Sequence, residues 1–386
     1  MKQKDRPIIV YGGSFDPPHR GHMALAAAAL RQLRPAALYF VPGFRTPFKD
    51  FKPLPFAERR GMLEAALRGA GLAGRPEVRI SRFEADQGRV VYTWETLEHF
   101  RRLHPGAPLY FLMGSDCLAD FRRWRRWRTV LRRARLLAGL RPGYALSAGE
   151  VPFTPLSGRF PEAASSGLRA ALFLGEEPAE LQPEVLSRIR SRGLYFSRER
   201  ALLKKLISPK RYLHSVETAR MAVRLAGQLG VPAQKAAAAG LLHDCARDLG
   251  ERALLRRGRA LRPRPPFASD TAARAPLLLH SWVGADLTRR RFGVEDPEIL
   301  EAVSLHATGA PGMGPLARLV YVGDLACHGR DFEEAGLVRE LAYRDFDAAF
   351  RAANYVKLTH AFSGGGWVHP LSVLLWNSLR TEKPAS

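Results

Sequence analysis

The sequence is poor in cysteine and in acid, and it lacks any long apolar run. Three cysteines, Cys117, Cys245 and Cys327, are spread over 386 residues without a CxxC pair. That excludes a disulfide framework and a cysteine zinc site. No stretch reaches the roughly 18 uninterrupted apolar residues of a membrane-spanning helix, so no span is expected. The N-terminal MKQKDRP leads into a short strand, not into an apolar segment with a small-residue cleavage site. It reads as uncleaved and cytoplasmic. Acidic residues number 37 against 60 basic ones, for a net charge of +23. The surplus is about +14 up to residue 197 and about +9 beyond it, so no single block carries it. Arginine usage throughout the chain accounts for it; an anionic ligand such as a nucleotide or polyphosphate is the alternative reading.

What is there divides in two. The first half alternates short apolar runs with helical spacing. Strands are expected near 7–11, 37–41, 78–80, 109–113 and 135–139, with helices near 21–34, 56–69, 93–103 and 124–134. This rhythm predicts an α/β fold, a doubly wound parallel sheet of Rossmann type. Ligands of such sheets bind beyond the carboxyl ends of the strands. After about residue 196 the strands stop. Helices are expected at 199–207, 212–229, 233–246, 277–292, 296–306, 315–328, 333–358 and 370–380, an all-α half. The boundary falls in a short charged joint, which sets the expected domains at 1–197 and 198–386.

The string GGSFDPPHRGH at 12–22 follows the first strand. Gly12 and Gly13 permit a tight turn and close backbone approach to a phosphate. His19 and His22, three apart at a helix start, share one face. Unpaired helix N–H groups and two imidazoles suit the charge that builds up on a polyphosphate during displacement. A metal-binding histidine pair and a structural turn are the other readings of HxGH taken alone.

The whole string resembles the HxGH nucleotidyltransferases, and bacterial nicotinate-mononucleotide adenylyltransferases most closely. Further segments carry the resemblance over about 195 residues: Val41-Pro42 to Pro47-Phe48-Lys49, Tyr92-Thr93-Trp94-Glu95-Thr96-Leu97, Gly114-Ser115-Asp116 with Trp124, Arg141-Pro142-Gly143-Tyr144, and Ser165-Ser166-Gly167-Leu168-Arg169. Three positions depart from the family pattern: Phe48 stands for histidine, Ala164 for serine and Ser166 for threonine. The resemblance implies transfer of AMP from ATP, with Mg2+, to nicotinate mononucleotide, and release of pyrophosphate. The attacking group is already a phosphate oxygen, so positioning and charge neutralisation suffice. By resemblance His19 and His22 are catalytic. Gly12, Gly13, Ser14, Phe15, Asp116, Arg141, Ser165, Ser166 and Arg169 bind ATP, and Lys49, Tyr92, Thr93 and Trp124 bind nicotinate mononucleotide. Nicotinamide mononucleotide and phosphopantetheine are the alternative acceptors. The basic run RRWRRWR at 122–128 is read as placing Trp124 at the site and Trp127 in packing; a nucleic-acid patch is the third option, and no nucleic-acid partner is expected.

The second half holds His214, His243, Asp244, His280, His306 and Asp324, at spacings of 1 residue within the pair and 18 to 37 otherwise. Only folding of a helical bundle unites them. Asp244 lies in an apolar stretch, where a charge needs a metal or hydrogen bonds. His328, His360 and His369 are read as structural. Imidazole and carboxylate suit iron, manganese or zinc rather than magnesium. Two ions sharing Asp244 fit the set, one with His214, His243 and Asp324, the other with His280 and His306; hydroxide attack on phosphorus is the chemistry. The strings Lys210-Arg211-Tyr212-Leu213-His214-Ser215, Ala239-Gly240-Leu241-Leu242-His243-Asp244, Leu279-His280-Ser281, His306-Ala307-Thr308-Gly309 and Gly323-Asp324 to Phe332 resemble HD-domain phosphohydrolases. Within them they look like the symmetrical bis(5'-nucleosyl)-tetraphosphatases. That implies cleavage of diadenosine tetraphosphate to two ADP, two iron ions, and phosphate contacts from Arg330 and from Lys210 or Arg211. Ala307 replaces threonine, and Cys327 stands where that family often has glutamate. Hydrolysis of another nucleotide, or binding of a nucleotide signal, is the alternative. Homo-oligomerisation is left open; no membrane partner is expected.

Overall fold

The computed structural model describes residues 6–44, 53–140, 151–161 and 163–381. Phe48, Lys49 and Arg141 to Tyr144 lie outside the described residues, as does the side chain of Asp116. Two compact units form, Met1–Arg169 with Glu177–Arg192, and Ala170–Glu176 with Gly193–Ser386.

The first unit runs β1 (Ile8–Gly13), α1 (Arg20–Leu33), β2 (Ala37–Pro42), α2 (Phe56–Gly69), β3 (Val78–Ile80), α3 (Phe83–Asp86), α4 (Thr93–Leu103), β4 (Leu109–Gly114), α5 (Ser115–Ala119), α6 (Trp127–Arg133), β5 (Arg135–Gly139), β6 (Phe153–Pro155), the first turn of α7 (Ser165–Leu174), which the division crosses after Arg169, and α8 (Pro183–Arg192). The sheet has order β3-β2-β1-β4-β5-β6, and every pairing is parallel. Continuous apolar runs such as Ala37–Pro42, buried at every position, are what a strand covered on both faces needs. Strand order reverses between β1 and β4, which opens a crevice at their carboxyl ends. Gly12 lies there because a Cβ would sit 3.2 Å from the Phe111 ring of β4. The helix expected at 124–134 begins only at Trp127. Arg126 takes a left-handed conformation, φ 55°, and ends the preceding turn, so Trp124 sits on a loop. β6 and α8 carried no period long enough to read.

The second unit is helical: α9 (Ser197–Leu206), α10 (Pro209–Leu225), α11 (Ala233–Leu242), α12 (Glu251–Ala260), α13 (Ala268–Arg274), α14 (Leu279–Phe292), α15 (Pro297–Leu305), α16 (Pro315–Ala326), α17 (Glu333–Arg344), α18 (Phe346–Ser363) and α19 (Pro370–Thr381). The alanine-rich α11 packs against α10, and a Cβ on Gly240 would lie 2.5 Å from the Ala219 backbone. The single helix expected at 333–358 is two. Asp345 caps α18, its side chain accepting from the Ala348 N–H at 2.9 Å, and an N-cap competes with helix continuation. The helix expected at 233–246 stops at Leu242, so His243 and Asp244 occupy the turn beyond it. No helix among the described residues is long and apolar enough to cross a membrane.

Candidate phosphate turn and metal centre

The turn after β1 is held from several sides. Arg59 of α2, 2% exposed, donates Nη1 to the Ser14 carbonyl at 2.7 Å and Nε to the Leu54 carbonyl at 2.8 Å. Asp16 Oδ2 accepts from the Leu54 N–H at 3.1 Å. The Asp16 carbonyl accepts from Arg169 Nη1 of α7 at 2.6 Å, and the Pro17 carbonyl from Ser165 Oγ at 3.3 Å. Phe15 adopts φ 48°, costly for a bulky residue. Its fully buried ring packs edge-on against Tyr11, His22 and Phe40, with centroids 5.0–5.6 Å apart. Only the Phe15 backbone is therefore left to face a ligand.

His19 caps α1, and the His22 ring closes a reciprocal capping box with it. His22 Nδ1 accepts from the His19 N–H at 3.2 Å, which leaves the ring proton on Nε2. The two rings stack with centroids 3.7 Å apart. The pair thus sits at a helix N-terminus beyond a strand end, where oriented N–H groups attract anions.

A separate cluster gathers about the start of α4. Glu95 Oε2 accepts from the Tyr92 N–H at 2.9 Å, so this amide is used within the cap. The guanidinium of Arg125 lies 4.7 Å from the centroid of the Tyr92 ring. Half-buried Trp124 rests on Phe121 and Phe111, at 5.2 and 5.9 Å between ring centroids. Glu84 of α3 accepts from Thr96 Oγ1 at 2.6 Å, and burial pushes its carboxyl up to about 7.

The six residues of the helical half converge. Asp244 divides its oxygens. Oδ1 lies 3.2 Å from His280 Nε2 and 3.4 Å from His306 Nε2. Oδ2 lies 3.7 Å from His243 Nε2 and 2.9 Å from Arg211 Nη1. Asp324 Oδ1 lies 3.0 Å from His214 Nε2 and 3.8 Å from His243 Nε2. Two ligand groups result, His214 with His243 and Asp244, and Asp244 with His280 and His306.

The donor set fits two divalent cations. His243, His280 and His306 each face the backbone carbonyl three residues earlier through Nδ1, at 2.7, 2.5 and 2.8 Å. Nδ1 therefore carries the proton, and the Nε2 lone pairs point inward. His280 Nε2 and His306 Nε2 are then two acceptors 3.0 Å apart, both beside an Asp244 oxygen; a cation belongs among them. His243 Nε2 is buried without a hydrogen-bond partner. Ligands about 2.0–2.2 Å from a common ion are spaced about 3–4 Å apart. Burial alone would raise both carboxyls, but the surrounding imidazoles, and Lys357 at Asp324, hold them well below the usual range. Burial drops His243 to about 3, so its ring is neutral.

Two family models match in chain order: a cytidylyltransferase-like model at residues 10–190 and an HD-domain model at 211–335. A Solibacter usitatus protein named "Probable nicotinate-nucleotide adenylyltransferase" is 35% identical over 191 residues, 49% of this chain and 98% of its own. The chain belongs to the nicotinate-nucleotide adenylyltransferase family. Here that domain is followed by an HD domain. A Mycoplasma genitalium protein named "Probable nicotinate-nucleotide adenylyltransferase/Ap4A hydrolase" is 28% identical over 328 residues, 84% of this chain and 87% of its own. A Clostridium acetobutylicum structure, titled a predicted HD superfamily hydrolase involved in NAD metabolism, aligns with 49% of this chain and 98% of its own at 28% identity and a TM-score of 0.46.

In the adenylyltransferase unit, residues 12–22, Ser165 and Arg169 are brought together; Ser166 is exposed at the start of α7. In the HD unit all six ligand candidates meet. Arg330 reaches Asp324 Oδ1 through Nη2 at 3.0 Å, so both it and Arg211 lie on ligand carboxylates. His369 is structural: its ring accepts from the Leu371 N–H and contacts Thr271. Sequence reasoning missed Arg59, Glu84, Arg125 and Lys357. Arg125 lay in plain view inside RRWRRWR; the other three belong to no motif.

Proposed function

We propose that the chain is a bifunctional cytoplasmic enzyme. Residues 1–197 join ATP, supplied as its magnesium salt, to nicotinate mononucleotide. Residues 198–386 split diadenosine tetraphosphate into two ADP with the help of two transition-metal ions, iron first among the candidates.

In the first reaction the phosphate oxygen of nicotinate mononucleotide bonds to the α-phosphorus of ATP. The bond to the β-phosphoryl oxygen breaks, and pyrophosphate leaves. His19 and His22 stabilise the phosphates by donating hydrogen bonds. Gly12, Gly13, Ser14, Asp116, Arg141, Ser165, Ser166 and Arg169 hold ATP, while Lys49, Tyr92, Thr93 and Trp124 hold the acceptor. Equal turnover with nicotinamide mononucleotide would overturn the choice of acceptor.

In the second reaction water supplies oxygen to one central phosphorus, and ADP departs with the bridging oxygen. His214, His243, Asp244 and Asp324 would hold one ion, and Asp244, His280 and His306 the other. Such ions supply Lewis acidity and an activated water. Arg211 and Arg330 are placed to meet phosphate oxygens. The observation that carries this reading is the division of the Asp244 oxygens between two inward-facing imidazole sets. The test is release of ADP from diadenosine tetraphosphate, with metal analysis of the full chain. Absence of a bound transition metal would sink it.

A further inference from the structure

Lys357 stands on α18, a helix that contributes nothing to the ligand set. Its Nζ lies 3.2 Å from Asp324 Oδ2, 2.7 Å from the His306 carbonyl oxygen and 3.9 Å from the centroid of the Tyr321 ring. An ammonium has three N–H groups and no acceptor; here an anion, a carbonyl and a ring face already receive them. Only 16% of the side chain is exposed. This is an enclosed charge with fixed partners, not a cation on a solvated face.

The partners explain the fixing. Tyr321 and Asp324 are one turn apart on α16, and Asn354 and Lys357 one turn apart on α18. Asn354 Nδ2 donates to the fully buried Tyr321 hydroxyl at 3.1 Å. The two helices are thus pinned at two successive levels, and the inner pin ends on a ligand carboxylate. With Oδ2 held by Lys357, Asp324 turns Oδ1 toward His214 and His243, where Arg330 Nη2 also meets it at 3.0 Å.

We propose that Lys357 is a positioning residue: it holds Asp324 so that a single oxygen, Oδ1, serves the ion bound by His214 and His243. The His280–His306 ion does not use Asp324 and is not governed this way. Outer partners of ligand groups typically tune metal affinity by about 10–100-fold.

This rests on reading the cluster as two metal sites. The test is stepwise Mn2+ binding to the full chain, followed by chelator competition. Wild type is expected to bind two ions. Lys357→Met should keep one at wild-type affinity and weaken the other by about 10–100-fold. Lys357→Gln, which retains an N–H donor, should fall between. In an Asp324→Ala background, Lys357→Met should change affinity less than about twofold, because the lysine acts through that carboxylate. Wild-type affinity for both ions in Lys357→Met, equal weakening of both, or full additivity with Asp324→Ala would each overturn the proposal. Failure of wild type to bind any ion would instead sink the two-metal reading beneath it.

Discussion

The two candidate sites are built by opposite means. The adenylyltransferase site is a turn: eleven consecutive residues end a strand at Gly13, turn through Ser14–Pro18 and enter a helix, presenting backbone N–H groups and two stacked imidazoles. The HD site is a convergence: six side chains from five places in a helical bundle meet through packing. The first depends on what anchors one loop, such as Arg59 and Arg169. The second depends on rings held in one tautomer by their own backbone, and on charges balanced inside the core. Local chain geometry therefore governs one site, and long-range helix packing the other.

The largest expected effect breaks the convergence at its shared point. Asp244→Ala removes both oxygens, and should abolish tight binding of both ions and lower ADP release by more than about 10³-fold; one ion retained would contradict a bridging role. At the turn, His19→Ala should lower pyrophosphate release by about 10³-fold with the fold retained by circular dichroism, since one preorganised donor contributes on this scale; a loss under tenfold would remove it from the chemistry. Arg59→Met tests anchoring. It deletes two hydrogen bonds from a buried guanidinium, at about 1.5–3 kcal/mol each, so thermal unfolding should shift down and KM for ATP should rise more than kcat falls. An unchanged KM would uncouple the anchor from the site.

The smallest effect is on pH. Glu84 titrates near 7 in the folded chain against an ordinary value of 4.5. The native state therefore binds the extra proton between those values, and stability should fall as pH rises through that window. Glu84→Gln should flatten this slope; an unaltered slope would assign it to another group.

The contrast also decides what could be read from sequence. The turn was legible residue by residue because its chemistry is contiguous: glycines, prolines and histidines whose spacing matches a strand end and a helix start. The parallel strands were legible for a similar reason, as unbroken apolar runs. The ligand set was legible only as residue types, since spacings of 18 to 37 residues say nothing about where imidazoles point. Their Nδ1 partners and the divided Asp244 emerge only from packing. Lys357 and Arg59 were illegible because an isolated cation in an arginine-rich chain reads as surface charge. The break at Asp345 was missed because apolar spacing runs on through it, while its capping role depends on side-chain rotation.

On the proposed reading, one chain carries two chemically independent sites, one needing tightly held transition metal and one not. The direct measurement is to strip the full chain with a chelator, remove the chelator, and assay both reactions on that sample with Mg2+ alone. Pyrophosphate release from ATP and nicotinate mononucleotide should proceed at the untreated rate, and ADP release from diadenosine tetraphosphate should return only with Fe2+, Mn2+ or another transition metal. Hydrolysis at the untreated rate with Mg2+ alone, or loss of both activities together, would contradict it.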